Sequence, residues 1–384
     1  MSTRLAGNAS VFGACNHNVF FPKLIAAISS PWSFAIVVAL HFAMPHLSGH
    51  FTVWRTAAGH PNYDQYPCPG IVIARLRLPS YIHSAMASVE SRRAEEQGLE
   101  LSIIVAVYND WSALDSCLAS LAQQDHKPRF EVVVIDDGSA EAAPAHIRQW
   151  ASRLPLTIVR TPHAGVAAAR NHGIRESRGA ALLFVDADCR LDIHCLSALS
   201  STMARSPQTD YFQLRLSGCR STLVGRAEEL RLVTFQEHAL QPDGRIQYLN
   251  TAGFALRRAR TDSAAGLFDP LAIRGEDTLL LADLMRRSEL PLFVSNAIVQ
   301  HDVSMSLPAC FRKDIRSAYL EGRTYQLIAS RGVSIRITHR ERFKLLRSAW
   351  KVAGQQSLGR PAWFVLVARQ ALQRMVSFVY ALAK

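Results

Sequence analysis

The chain has 384 residues, 49% of them apolar, and a formal net charge of +12. That length can bury one large core or two smaller ones, and a mean hydropathy near neutral excludes a multi-span membrane protein. The charge is concentrated: residues 311–384 hold 15 Lys and Arg against 3 Asp and Glu, whereas residues 1–310 hold 28 of each sign. Such a tail suits an anionic membrane surface or nucleic acid. No zinc-finger spacing, RNA-recognition signature or Gly-Arg repeat accompanies it, so nucleic acid is not an expected partner. Seven cysteines (Cys15, Cys68, Cys117, Cys189, Cys195, Cys219, Cys310) without a CxxC imply free thiols in a reducing compartment, not a disulfide framework or zinc site.

Residues 1–98 show no sustained helical or strand period. Within them, residues 24–44 (LIAAISSPWSFAIVVALHFAM) carry no Asp, Glu, Lys or Arg. This is long enough to span a bilayer, although Pro31, His41 and three serines weaken the case. There is no cleavable secretion signal of the usual shape. An alternative expectation is that this segment is not part of the working protein, because Met86 opens "MASVESRRAEEQGLE", a polar helical lead-in directly before the first strand.

From Leu101 the pattern is regular. "LSIIVAVY" is a strand apolar nearly throughout, as parallel strands covered on both faces are. Leu114, Cys117, Leu118 and Leu121 then recur at helical spacing. Strands "EVVVID" (131–136) and "LTIVR" (156–160) follow, separated by a helical stretch around 141–152, and "GVAAARNHGIRES" (165–177) is a helix leading into the strand "ALLFVDAD". Strands alternating with helices at this spacing predict a doubly wound, mostly parallel α/β sheet. Ligands on such sheets bind beyond the carboxyl ends of the strands, where Tyr108-Asn109, Asp136-Asp137 and Asp186/Asp188 all fall. Residues i and i+2 of a strand share a face, so Asp186 and Asp188 converge and repel unless a hard divalent cation lies between them. A solvated acidic turn is the plainer alternative.

Residues 210–217, 252–257 and 290–301 are expected strands, the last ending at His301, with helices over 222–240 and 278–287. Beyond about 310 the chain is basic and helical. In its last helix Arg369, Gln370, Gln373, Arg374 and Ser377 form one polar stripe. Phe364, Val367, Ala368, Leu372, Met375 and Val379 lie elsewhere on it, so the expectation is an amphipathic helix with cations on its polar face, lying in a membrane interface; the alternative is a helix covering the domain's own core.

The ordered set "SIIVAVYND", "VVVIDDGS", "HAGVAAARNHGI", "LLFVDADCR" and "RGEDTLLLADLMRR" resembles family 2 glycosyltransferases over about 101–325. The resemblance implies a GT-A fold over 99–310, a basic tail over 311–384 and an inverting transfer from a nucleotide-sugar. One departure is that the family's proline near the end of the first strand is replaced by Ala106. By resemblance, Tyr108, Asn109, Asp137, Gly165, Arg170 and Asn171 serve the nucleotide. Asp188 is the metal ligand, Asp186 shares the metal or the ribose, and His301 is a third ligand or a diphosphate contact, for Mn²⁺ or Mg²⁺. Asp277 is the general base, and Glu276 and the strand around Gly253 are on the acceptor side, with Arg257 or Arg258 toward an anionic lipid-linked acceptor.

The expected donor is a nucleotide-sugar, UDP-linked. The acceptor is a glycan or lipid-linked hydroxyl in cell-surface polysaccharide or glycoconjugate synthesis, at the cytoplasmic, inner face of a membrane. A catalytically inactive, membrane-docked binding or scaffolding protein is the alternative. Nucleotidyltransfer and dinucleotide chemistry are disfavoured because "VAVYND" lacks glycine and no GxGxxG occurs. Processive polymerisation is disfavoured because no Q-x-x-R-W is present.

Overall fold

Strand β1 (Leu101–Val107) is the axis of the sheet, and its pleat sorts its side chains into two cores. Leu101, Ile103, Val105 and Val107 join one cluster with helices α1 (Trp111–Ala122) and α3 (Cys195–Arg205). Ile104 joins the opposite cluster with α2 (Val166–Glu176) and α5 (Glu276–Arg286). A strand buried on both faces has no room for alternation, which is why it reads as an unbroken apolar run.

The structure is a computed structural model. It describes residues 98–384 except 126, 262–265, 273, 303–304, 334–337, 356–357 and 383–384, together with three short strands, Ala9–Val11, Phe51–Thr52 and Val72–Ala74, that pair antiparallel. The chain divides into two units, residues 1–82 and 83–384. The 24–44 segment and the lead-in after Met86 lie outside the described residues. Among the described residues no helix is long and apolar enough to cross a membrane.

The remaining strands are β2 (Phe130–Asp136), β3 (Leu156–Arg160), β4 (Ala181–Asp186), β5 (Cys189–Leu191), β6 (Tyr211–Gly218), β7 (Phe254–Arg257) and β8 (Leu292–His301). Their order is β3-β2-β1-β4-β7-β6-β8-β5. The first four run parallel. β7 is antiparallel to both neighbours, β8 runs parallel to β6, and β5 is antiparallel to β8. The sheet is therefore parallel and doubly wound in its first half and mixed beyond.

The chain winds outward from β1 through β2 to β3 and then returns to β4 on β1's other side. The switch point thus lies at the carboxyl end of β1, where the register sets Val107 beside Asp136 and Ala106 beside Asp186.

Helix α4 (Leu223–Ala239) supports the tail helices α6 (Leu307–Ser330), α7 (His339–Gln355) and α8 (Arg360–Leu382). Ala227, Leu230 and Val233 of α4 share a core with Ala349, Val352, Ala362 and Leu366. The tail is not a separate appendage.

The last helix corrects the expectation for its polar stripe. Arg369 turns inward, bonding Asp314 with Nε at 2.8 Å and Glu228 with Nη1 at 3.0 Å, and Gln373 donates to Asp314 at 3.2 Å. Buried acids on α4 and α6 need a counter-charge more than solvent does, so the arginine faces them. Replacing Arg369 by Ala is expected to lower the unfolding free energy by about 3 kcal/mol, measured by urea denaturation of the full chain, because Asp314 loses its main cation while buried.

Candidate active site

Two turns at the carboxyl edge are tied together before any ligand is considered. Asn109, just past β1, adopts φ 56°, which asparagine tolerates. Its amide donates to Ser139 Oγ at 2.9 Å, and its Oδ1 accepts from the Ala140 amide at 2.7 Å. Asp136 accepts from the Ser139 amide at 2.8 Å and faces Arg160, so it braces the turn. Gly138 has φ +74°, and a Cβ there would lie 2.6 Å from the His163 backbone nitrogen. The carboxylate of Asp137 accepts from the amides of Ala164 and Gly165 at 2.9 and 3.0 Å.

These bonds carry His163 onto Tyr108. The two rings stack at 4.3 Å with an interplanar angle of 20°, and Tyr108 remains 49% exposed. Sequence reasoning found Tyr108 and missed His163. Its signal was its position just after β3, at the same carboxyl edge.

The centre of the site is Arg170, which is 3% exposed. One nitrogen donates to Asp186 Oδ1 at 2.6 Å and another to Glu276 Oε1, joining residues 16 and 106 positions away. Burial works to lower its pKa, but the two carboxylates more than reverse this and hold the guanidinium above its ordinary value. Phe268 lies beneath it, 5.7 Å from the guanidinium carbon. Asn171 bonds the Phe268 backbone in both directions, at 2.7 and 3.0 Å, and so holds that loop under the arginine.

Asp277 is partly exposed beside Glu276 and densely surrounded by protein. Burial first, and the charge of Glu276 second, push its carboxyl up to about 7. Thr278 donates to its Oδ1 from both amide and hydroxyl, at 2.6 and 3.2 Å.

Asp188 faces a different partner from Asp186. β4 ends at Asp186 and the chain turns before β5, so strand alternation does not extend to Asp188. Its Oδ2 meets His301 Nε2 at 3.1 Å, at the end of β8. Burial opposes ionisation of Asp188, but His301, with Lys313 near, more than compensates and holds the carboxyl below its usual range.

Asp188, Cys189 and His301 bring ligand atoms within 4.8 Å of one another, while Asp186 falls outside this group. The set that converges therefore differs from the expected Asp186, Asp188 and His301. An ionised carboxylate with an imidazole fits a divalent cation, and the imidazole favours Mn²⁺ over Mg²⁺. Burial and the adjacent acids hold the Cys189 thiol well above its ordinary value, so it offers no thiolate at neutral pH.

The acceptor-side expectations are corrected in part. Gly253 is buried, and a Cβ there would lie 2.9 Å from Leu216 Cδ2, so its small size serves packing against β6. Arg257 donates to the carbonyls of Met203, Ser206 and Thr209, and Arg258 to the Gly179 carbonyl and Ser177 Oγ. Both close the C-terminal ends of helices instead of reaching toward an anionic acceptor. Ala106, in the place of the family's proline, packs with Val133, Ile135 and Ala169.

Residues 102–262 match the family model described as Glycosyl transferase family 2, and the chain carries a domain of that family. The α/β sheet, parallel in its first half and mixed beyond, fits the doubly wound architecture expected from the sequence. The chain is similar to glycosyltransferase AglE of Haloferax volcanii, 35% identical over 92 residues that make up 23% of this chain and 30% of that protein. It is also similar to the hyaluronan synthase of Pasteurella multocida, 38% identical over 98 residues, 25% of this chain and 10% of that one. The chain thus spans less than a third of the length of either relative. Among solved structures, the mannosyltransferase PcManGT from Pyrobaculum calidifontis, in complex with GDP-Man and Mn²⁺, aligns at 18% identity and a TM-score of 0.48, over 79% of this chain and 92% of that one.

Arg170→Met leaves Glu276 buried without its counter-charge and is expected to cost about 3 kcal/mol of stability or more. Arg170→Lys keeps the charge but not the fork and is expected to recover roughly half. Chemical denaturation of the two variants beside the parent protein checks both.

Proposed function

We propose that this chain is a metal-dependent, inverting glycosyltransferase that moves a sugar from a UDP-linked donor to a hydroxyl of a glycan or lipid-linked acceptor. The observation that carries this is the Arg170 bridge. It joins the acid that ends β4 to the Glu276-Asp277 pair, so the two acidic motifs of the family meet at one sheet edge. A hyaluronan synthase among the similar proteins supports a cell-surface glycan as product class.

The residues divide the work. Tyr108, stacked with His163, offers a ring for a nucleobase. Oδ1 of Asp137 accepts one backbone amide and keeps a lone pair for an imide N–H, while Oδ2 accepts the Gly165 amide and lies 2.9 Å from His163 Nδ1. Asn109 and Gly165 hold the loops that shape this pocket, and Asn171 holds the Phe268 loop under Arg170. Asp188 and His301 hold the cation, which when bound offsets negative charge on a departing diphosphate. Thr278 occupies Oδ1 of Asp277, leaving Oδ2 to take the acceptor proton as the hydroxyl oxygen attacks the anomeric carbon opposite the leaving group. The basic tail brings the enzyme to the cytoplasmic, inner face of an anionic membrane.

Asp277→Asn is expected to cut turnover roughly 10²–10⁴-fold while donor binding, read by thermal shift with UDP-sugar, persists. Unchanged turnover removes Asp277 from the mechanism. The pH profile has a defined sign. With its carboxyl raised to about 7, Asp277 is protonated and inactive as a base below that value and ionised above it. The ratio kcat/KM is expected to fall about tenfold per pH unit on the acid side of neutrality and to level off above.

Asp188→Ala and His301→Ala are each expected to abolish the additional thermal shift that Mn²⁺ produces in the presence of UDP. A metal-independent shift with every nucleotide tested, and no sugar transfer, favours the inactive binding protein instead.

A further inference from the structure

The inward contacts of α8 fix which side of it faces outward. Arg369 and Gln373 grip Asp314, and Ala362 and Leu366 are buried against α4 and α7. On the opposite side, Phe364, Ala368, Ala371, Met375 and Phe378 follow one another at spacings of four, three, four and three, over about four turns. Phe364 is 60% exposed, Met375 58% and Phe378 64%, with Val379 beside them at 57%.

Helix α7 continues the surface. Trp350 sets its ring 6.3 Å from that of Phe364, and Phe343 is 69% exposed. Flanking these aromatics, Lys344, Arg347 and Lys351 are exposed along α7, and Arg360 lies over the Trp350 ring at 5.0 Å. No Asp or Glu follows Glu341 in the sequence. An apolar stripe bordered by cations, with Glu341 the one acid on α7 and none on α8, is therefore left uncovered among the described residues.

We infer that this face of α7 and α8 docks on an anionic bilayer, with Phe364, Met375 and Phe378 entering the headgroup–acyl boundary and the lysines and arginines meeting lipid phosphates. The charge decides the occupant. A second copy of the chain brings an equally basic face against this one, and an acidic macromolecule satisfies the cations while leaving the aromatics in water. An anionic membrane satisfies both at once. The face differs from the polar stripe that helical periodicity alone puts outward, because Arg369 is committed inward. The inference stands on exposure and charge and does not depend on the transferase chemistry.

The test is flotation of the full chain with vesicles of phosphatidylglycerol and phosphatidylcholine in equal parts, against phosphatidylcholine alone. Binding is expected on the anionic vesicles and to weaken with salt. Phe364→Asp combined with Phe378→Asp is expected to weaken it at least tenfold, by roughly the loss of two buried aromatic anchors. Lys344→Glu combined with Lys351→Glu is expected to weaken it about 100-fold. The shift produced by Mn²⁺ and UDP should be unchanged in both, which shows that the fold survives and keeps this inference separable from the catalytic one.

Binding through another part of the chain is excluded by a local signal. Quenching by brominated lipid, taken as the difference between the parent and Trp350→Phe, should report Trp350 at the bilayer. Failure to bind anionic vesicles, variants that bind as the parent does, or absent Trp350 quenching overturns the inference. So does light scattering that shows a dimer dissolved by the Phe→Asp pair, which assigns the face to a second copy.

Discussion

One guanidinium, shared between two carboxylates, organises this molecule's chemistry. Arg170 rises from a small-residue helix behind the sheet and meets the acid at the end of β4 and the acid at the start of α5. One positive charge facing two negative ones leaves a local surplus of negative charge. That surplus reaches Asp277, where the charge of Glu276 raises the carboxyl and Arg170 pulls the other way. Burial is the largest cause of that raised carboxyl, and Glu276 and Arg170 then adjust it in opposite directions. A residue with no place in the proton transfer thus contributes to it through charge.

Arginine elsewhere acts as a fastener. Arg257 and Arg258 close helix ends, and Arg369 joins α8 to acids on two other helices. A planar fork can satisfy several carbonyl or carboxylate oxygens at once, which a lysine point charge cannot. The consequence is that a basic residue count overstates the cations available to a ligand. Several of these arginines are already spent on structure, and exposed positive charge is carried by Arg312, Lys313 and Arg316 on α6 and by Lys344, Arg347 and Lys351 on α7.

Much of the framework was legible from residue order. The unbroken apolar runs at 101–107 and 130–136 are strands because both their faces are covered, and "LTIVR" occupies β3 as expected. The polar groups at the strand ends gather at one edge because parallel winding puts them there. What did not emerge were relations between distant residues. The Arg170–Glu276 pair spans 106 positions, and nothing local to either end announces it. The direction of α8 was misjudged for a related reason: helical periodicity shows that two faces differ, but not which one meets buried acids such as Asp314. Strand alternation likewise grouped Asp186 with Asp188, until a turn between β4 and β5 sent one to an arginine and the other to a histidine.

Thr324 of α6 donates to the carbonyl of Arg274, immediately before the Gly275-Glu276-Asp277 turn. Leu279 and Ala282 of α5 share a small core with Ile328 on the same helix. The family match ends at residue 262, ahead of these contacts. A recombinant fragment trimmed to the matched region omits the acidic turn altogether. One trimmed near residue 310 keeps that turn, strips its scaffold, and bares leucines on α4 and α5 to water. Such a fragment inherits a handling problem, namely self-association through newly uncovered oily surface, that the intact polypeptide avoids by folding its own tail over it.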